Sequence, residues 1–477
     1  MIELCDLSAV RLRRMIGDKS ISPVELLASC RRRIDAINPR LNALVTFCWE
    51  RAEAEAKAAE HAVMSGKALG RLHGLPIGIK ETMVTAGVRT TFGSPILANN
   101  IPTEDERMVA VVRSAGAIVV GKTNAPEVGA GGNTTNPVFG ATGNPFDPSR
   151  ICGGSSGGSA VALATSMLPL ATGSDTGGSL RTPAAYCGVI GFRPSPGVVP
   201  MSRRAIGYTP ISVQGPMGRD VADTALMFSA VAGYDPVDPL SFPMDTSMLA
   251  NPPQVDLSGL RVAVSEDLGF APVDNGVRQT FRDAIAGIKS CFREVVDAPP
   301  PLDDANEIFE VLRAMSFYVS FEGFYREQRE LLGANLVANI EQAQGYSFAD
   351  AAQAQAKQNA LYQRFSTYME DFDILLSPTA AVPPFPLEQL YPTHINDEAL
   401  LSYFHWLGLG FGTSLTGFPS VTLPCGLDAT GTPFGLHICG QRFGDHQLMG
   451  VAAALEQYLA TVPGLGRPLP DIGALSA

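Results

Sequence analysis

Two stretches of this chain set serines among glycines: CGGSSGGSA over residues 152–160 and TGSDTGGSLRTP over residues 172–183. Glycine gives up the most backbone freedom on folding, so glycines this dense point to a close backbone approach or to unshielded amide donors. Serines on such turns are candidate nucleophiles, and a nucleophilic serine needs a base. The chain has six histidines, and His394, His405, His437 and His446 sit in no motif that would mark one as that base. A lysine can do the same work where burial keeps it neutral. Lys80 ends the apolar run Leu75-Pro76-Ile77-Gly78-Ile79, surroundings that favour such a shift. Taken alone it would read as a surface strand end.

Shorter motifs fail on context. Residues 153–157, GGSSG, match the G-x-S-x-G nucleophile elbow, but that elbow must follow an apolar strand. Here the preceding residues are NPFDPSRIC, with two prolines. A phosphate loop would need a G-x-x-x-x-G-K-[ST] lysine, which neither cluster has.

The elements that must carry these residues can be read from pattern. Ser22 as N-cap, Pro23 at the first helical position and Glu25 reaching back predict a helix over 21–38, ended at Asn38-Pro39. Further helices are expected at 51–64, 105–115, 276–290, 303–332 and 446–460. Short apolar runs at 74–80, 116–124, 260–267, 372–380, 419–426 and 434–440 suit buried strands. Strands interleaved with helices predict an α/β architecture. The Pro-, Asp- and Ser-rich stretch 234–259 resembles a linker, although strands beyond it could rejoin the same sheet.

Composition narrows the partners. The chain has 477 residues and a net charge of −12, which argues against nucleic acid and anionic membranes. No window approaches a membrane span, and the N-terminus has no apolar signal region. Eight cysteines stand singly, with no CxxC. That is the pattern of reduced cytoplasmic thiols, with neither a disulfide framework nor a metal site.

The segments GLPIGIKE (74–81), GKTNAPE (121–127), NPVFGATGNPFDPSRICGGSSGGSAVALA (136–164) and GSDTGGSLRTPAAYCGVIGFRPS (173–195) follow in that order. Together they closely resemble the amidase signature family, which hydrolyses amide bonds with a serine–serine–lysine triad. The resemblance extends to SPVELL and RIDAINPRLNA near the N-terminus and to GFPSVTLPCG and GTPFGLHICGQRFGDHQLM near the C-terminus. It is weakest over 270–350.

The resemblance implies one domain over 1–477 with a single large mixed β-sheet covered by helices on both sides. Within it, N-terminal helices would occupy 1–64, the signature core about 65–215, and a variable helical region about 270–370. Ser179 would be the nucleophile, and Ser155, after a cis peptide from Gly154, would relay protons to Lys80. Backbone amides of Thr176, Gly177, Gly178 and Ser179 would form the oxyanion hole. The segment Gly129-Ala130-Gly131-Gly132 would line the acyl pocket, while Asp175, Arg181 and Ser156 would support the loop and the lysine. No cofactor and no metal are implied. Members of the family are often homodimers, and the sequence marks no interface here.

The substrate is less legible than the chemistry. A small-molecule carboxylic amide is the expectation; aryl amides, hydrazides and esters share the same acyl chemistry. The glutamine-hydrolysing A subunit of tRNA-dependent amidotransferases is the alternative within the family. The arginine with which that protein reads its glutamine would fall near Gln358, where this chain has no arginine; Arg364 lies about two turns on. Aromatic residues gather at 316–325 and 402–411. They read first as core, with Tyr318, Phe321, Phe404 and Trp406 the candidates for lining a pocket. His437 stands where relatives more often carry glutamine, and no role for it follows from the sequence.

Overall fold

The computed structural model describes residues 3–476. Among these, eleven strands make one mixed sheet: β1 (Leu44–Phe47), β2 (Pro76–Lys80), β3 (Ile118–Thr123), β4 (Leu170–Asp175), β5 (Ile190–Arg193) and β6 (Val213–Gly218), then β7 (Arg261–Val264), β8 (Glu294–Asp297), β9 (Ile374–Pro378), β10 (Ser420–Leu427) and β11 (Pro433–Cys439). Their order across the sheet is β1-β3-β2-β4-β6-β5-β10-β11-β9-β7-β8. β2 runs parallel to both β3 and β4, so the chain ends of β2 and β4 lie at the same edge of the sheet. Lys80 closes one of those strands and Ser174-Asp175 the other.

Both faces are buried, and the alternation of side chains along the strands shows it. Val119 belongs to one apolar cluster, while its neighbours Ile118 and Val120 belong to another. Leu170 and Ala171 divide in the same way. The helices Val221–Val231 and Asp445–Leu459 supply the first face, and Pro23–Leu41 and Gly157–Ala164 the second.

The 234–259 stretch holds no strand or α-helix, and β7 just beyond it joins the same sheet as β2 and β4. The first predicted helix has its capping box from Ser22 and Glu25. It does not stop at Asn38-Pro39, however, but runs to Leu41. Asn38 Oδ1 accepts the amides of Ala43 and Leu44 at 2.9 and 2.8 Å, so the residue before the proline is held in the last turn. Among the described residues no helix is long and apolar enough to cross a membrane.

Candidate active site

Lys80 is fully buried at the end of β2. Its Nζ donates to Ser155 Oγ at 2.8 Å and to Ser174 Oγ at 2.9 Å. Burial drives its pKa down to about 7, against a smaller upward pull from Asp175. A large share of this amine is therefore neutral near pH 7, as a base must be.

Ser155 follows a cis Gly154–Ser155 peptide. The two glycine-serine clusters are tied directly, because the Ser156 amide donates to the Ser179 carbonyl at 3.1 Å. Ser155 and Ser179 line one cavity of about 200 Å³ together with Gly129, Gly131, Ser174, Thr176 and Gly177. Among the described residues no hydrogen bond joins the Ser155 and Ser179 hydroxyls. Hydrogen bonds between catalytic groups commonly tighten only in the substrate complex.

Ser156 does not reach the lysine. Its Oγ accepts the Ser174 amide at 3.3 Å, and the hydroxyl beside Nζ belongs to Ser174. Ser174 is thus one residue that sequence reasoning missed. Its only signal is adjacency to Asp175 in a stretch that reads as loop.

Asp175 organises the second cluster. Its carboxylate accepts the amides of Gly178 and Leu180, each at 3.0 Å. Arg181 adds a fork of Nε at 3.0 Å and Nη2 at 2.9 Å, and Arg193 Nη1 approaches at 3.2 Å. Burial alone would raise the Asp175 pKa, but Arg181 and Arg193 outweigh it and hold the carboxyl well below the usual range. Arg193 carries no comparable signal in the sequence; it is fully buried, and Nη1 also binds the Asp175 carbonyl at 2.8 Å.

The amide donors differ in availability. Gly178, at φ +109°, turns its N–H to Asp175 and is not a free oxyanion donor. The amides of Thr176, Gly177 and Ser179 have no acceptor among the described residues. Gly129, at φ +78°, brings backbone against Ser155: a Cβ there would stand 3.5 Å from Ser155 Oγ. Ala130 lies off the cavity wall, with its carbonyl taken by Asn335 Nδ2 at 3.0 Å.

His437 takes a role that the sequence left open. Arg181 Nη1 meets its Nε2 at 3.2 Å. A guanidinium can only donate, so Nε2 is the acceptor and the ring proton sits on Nδ1, which faces Ser377 Oγ at 3.1 Å. Burial first, and then Arg181, push the His437 pKa well below its ordinary value. This histidine is a neutral strut behind the arginine.

Of the aromatic candidates, Phe321 and Phe404 line the cavity, joined by Phe309 and Phe317. Tyr318 points elsewhere and is 39% exposed; Trp406 is core, its Nε1 donating to the Tyr403 carbonyl. Gln358 binds the Leu415 carbonyl and Arg364 pairs with Asp304, both away from the serines. Among the described residues no group of three or more His, Cys, Asp or Glu could hold a metal.

Known proteins resemble this chain along most of its length. The family model described as Amidase matches residues 25–449. An acylamidase of Rhodococcus erythropolis is 34% identical over 94% of this chain and 95% of its own length. The A subunit of a glutamyl-tRNA(Gln) amidotransferase of Geobacillus kaustophilus is 32% identical over 96% of this chain and 98% of its own length. The crystal structure of a bacterial aryl acylamidase of the amidase signature family superposes with a TM-score of 0.86 at 28% identity, covering 94% of this chain and 96% of that one. This chain belongs to the amidase family and is an amide hydrolase.

Proposed function

We propose that the chain hydrolyses a small carboxylic acid amide through an acyl-enzyme on Ser179, and that residues 1–477 form the single domain that does so. Ser179 Oγ bonds to the substrate carbonyl carbon while its proton passes to Ser155 Oγ, whose own proton moves to neutral Lys80. The oxyanion is met by the amides of Thr176, Gly177 and Ser179. As the C–N bond breaks, the proton returns along the same path to the leaving nitrogen. Water then repeats the sequence on the acyl-enzyme. The observation that carries this reading is Lys80: fully buried, with its pKa pushed down to about 7 and its amine 2.8 Å from Ser155 Oγ.

The aromatic wall of Phe309, Phe317, Phe321 and Phe404 favours an apolar or aryl group on the substrate. The aryl acylamidase neighbour supports the same preference. Eight free cysteines suit a reducing, cytoplasmic setting.

The test is a panel of simple amides, anilides, hydrazides and p-nitrophenyl esters given to the purified chain alone, with mass spectrometry after fluorophosphonate treatment. The expected result is turnover without further proteins and an adduct on Ser179. Turnover only with a tRNA-charging partner would transfer the chain to the amidotransferase reading. An adduct on Ser155, with Ser179 unmodified, would overturn the assignment of roles.

A further inference from the structure

Arg313, on the helix Ala305–Gln328, lines the same cavity as Ser155 and Ser179 and is 7% exposed. Four aromatic rings surround its guanidinium: Phe317 and Tyr403 at 4.7 Å, Phe404 at 4.8 Å and Phe309 at 6.0 Å to their centroids. Its one hydrogen bond among the described residues runs from Nη1 to Asn339 Oδ1. Asn339 is itself fixed by Nδ2, which donates to the Asn335 carbonyl and to the Tyr403 hydroxyl.

No carboxylate of the described residues pairs with this cation. Glu310, one turn away on the same helix, is taken by His405 Nε2 at 3.1 Å. Glu127, just before the cavity-lining Val128 and Gly129, is taken by Ser94 Oγ and the Gly333 amide, both at 2.7 Å. The other buried arginines of the site, Arg181 and Arg193, share Asp175. Arg313 is the exception. Its Nε and Nη2 have no protein acceptor, yet neither is sealed from solvent.

An arginine so placed suits an anion. Aromatic rings stabilise the faces of a guanidinium without consuming its in-plane donors, and those donors match the two oxygens of a carboxylate. A buried cation without a partner is costly, and a bound anion removes that cost. We infer that Arg313 binds a carboxylate on the substrate, so that the preferred amides join a carboxylate to an apolar or aryl body. The inference rests on the amide-hydrolase reading proposed above and narrows its substrate class. The carboxylate could sit on either the acyl or the amine side of the scissile bond.

The experiment uses matched pairs. For the acyl side, monoanilides of malonic, succinic, glutaric and adipic acids are set against anilides with an isopropyl group in place of the carboxylate. For the amine side, butyramides of aminobenzoates are set against those of isopropylanilines. The wild type should prefer the carboxylate member in at least one series, and that series identifies the side. Arg313→Met should lower the ratio of kcat/KM between the members on the order of 100-fold, mainly through KM. Arg313→Lys, which keeps the charge but loses the fork, should retain part of the preference.

A loss shared equally by both members leaves the ratio unchanged, assigns Arg313 to packing, and overturns the inference. Calorimetric binding of the same pairs to Ser179→Ala, with and without Arg313→Met, separates binding from chemistry. Hydrolysis of the isopropyl amides at least as well as the carboxylates, with no binding preference, sinks the anchor and leaves the hydrolase standing. Arg313-dependent carboxylate binding with no turnover of any amide does the reverse.

Discussion

Ser174 Oγ stands 2.9 Å from Lys80 Nζ, almost matching the 2.8 Å between that amine and Ser155 Oγ. An ammonium donates three hydrogen bonds and accepts none, whereas the neutral amine can accept one. The second hydroxyl therefore both aims the amine and helps its protonated form. Ser174→Ala should lower kcat/KM roughly 10-fold, the value of about one hydrogen bond, and shift the rising limb of the pH profile downward. Ser156→Ala touches only the Ser174 backbone and should leave that limb in place. An unmoved limb in Ser174→Ala would show that the hydroxyl does not act on the base.

Lys80 links activity to stability. With its pKa pushed down to about 7 by burial, kcat/KM should rise about tenfold per pH unit below 7 and level off above it. The unfolded lysine holds its proton to about pH 10.4, so the unfolded state binds more protons between these values. Wild-type stability should accordingly gain from this group as pH rises from 7 towards 10, and the full penalty should be present below 7. Lys80→Met removes that penalty but forfeits the two hydroxyl contacts. We expect it to be inactive on amides yet more stable at pH 7 by about 1–3 kcal/mol, from roughly three pK units less two hydrogen bonds. Urea denaturation at pH 7 and pH 10 checks the sign: the advantage should shrink at the higher pH.

Lys80, Ser155 and Ser179 were singled out by the order of several motifs rather than by any one of them, and the structure brings Lys80 to Ser155 and sets both serines on one cavity. The helix Pro23–Leu41 was legible locally, its cap being written in three residues. Other parts were hidden by composition. β4 ends in Thr-Gly-Ser-Asp and β6 contains Gly215 and Pro216, which read as turns, yet each pairs with the other over six residues. Those glycines are required by packing: a Cβ at Gly215 would collide with the Phe192 carbonyl oxygen, and one at Gly173 with the Leu180 side chain. Arg313 was hidden by distance, since nothing in its helix announces that it lines the serine cavity and meets Asn339.

Asp175 should be the most sensitive positioning residue. Asp175→Asn leaves Arg181 and Arg193 without their shared carboxylate in a fully buried setting. Removing one member of a buried pair typically costs about 3–5 kcal/mol. Activity should fall by more than about 100-fold, because the turn that presents the Gly177 and Ser179 amides loses its anchor. The carboxylate's contribution is present above the ordinary aspartate pKa of about 3.9 and fades as pH falls below it. The stability gap between wild type and variant should thus narrow in acid. Adding Arg181→Met to the variant should restore part of the stability and none of the activity; recovery of activity would mean that the turn needs no ionic anchor.

His437 separates shape from titration. Its neutral ring accepts from Arg181 and faces Ser377 with its N–H, so any side chain offering one acceptor and one donor at those points should serve. A glutamine can do this, with Oε1 towards Arg181 and its amide towards Ser377. His437→Gln should therefore stay within about 1 kcal/mol of wild type and keep the same pH profile. His437→Leu strands an arginine N–H in the core and removes the N–H that Ser377 Oγ accepts, and should lose about 1–3 kcal/mol. The ring stays neutral across the working range, so neither variant should remove the ionisation near pH 7. If His437→Gln abolished that ionisation while Lys80→Met left it in place, the base of this enzyme would be the histidine and the assignment of Lys80 would fall.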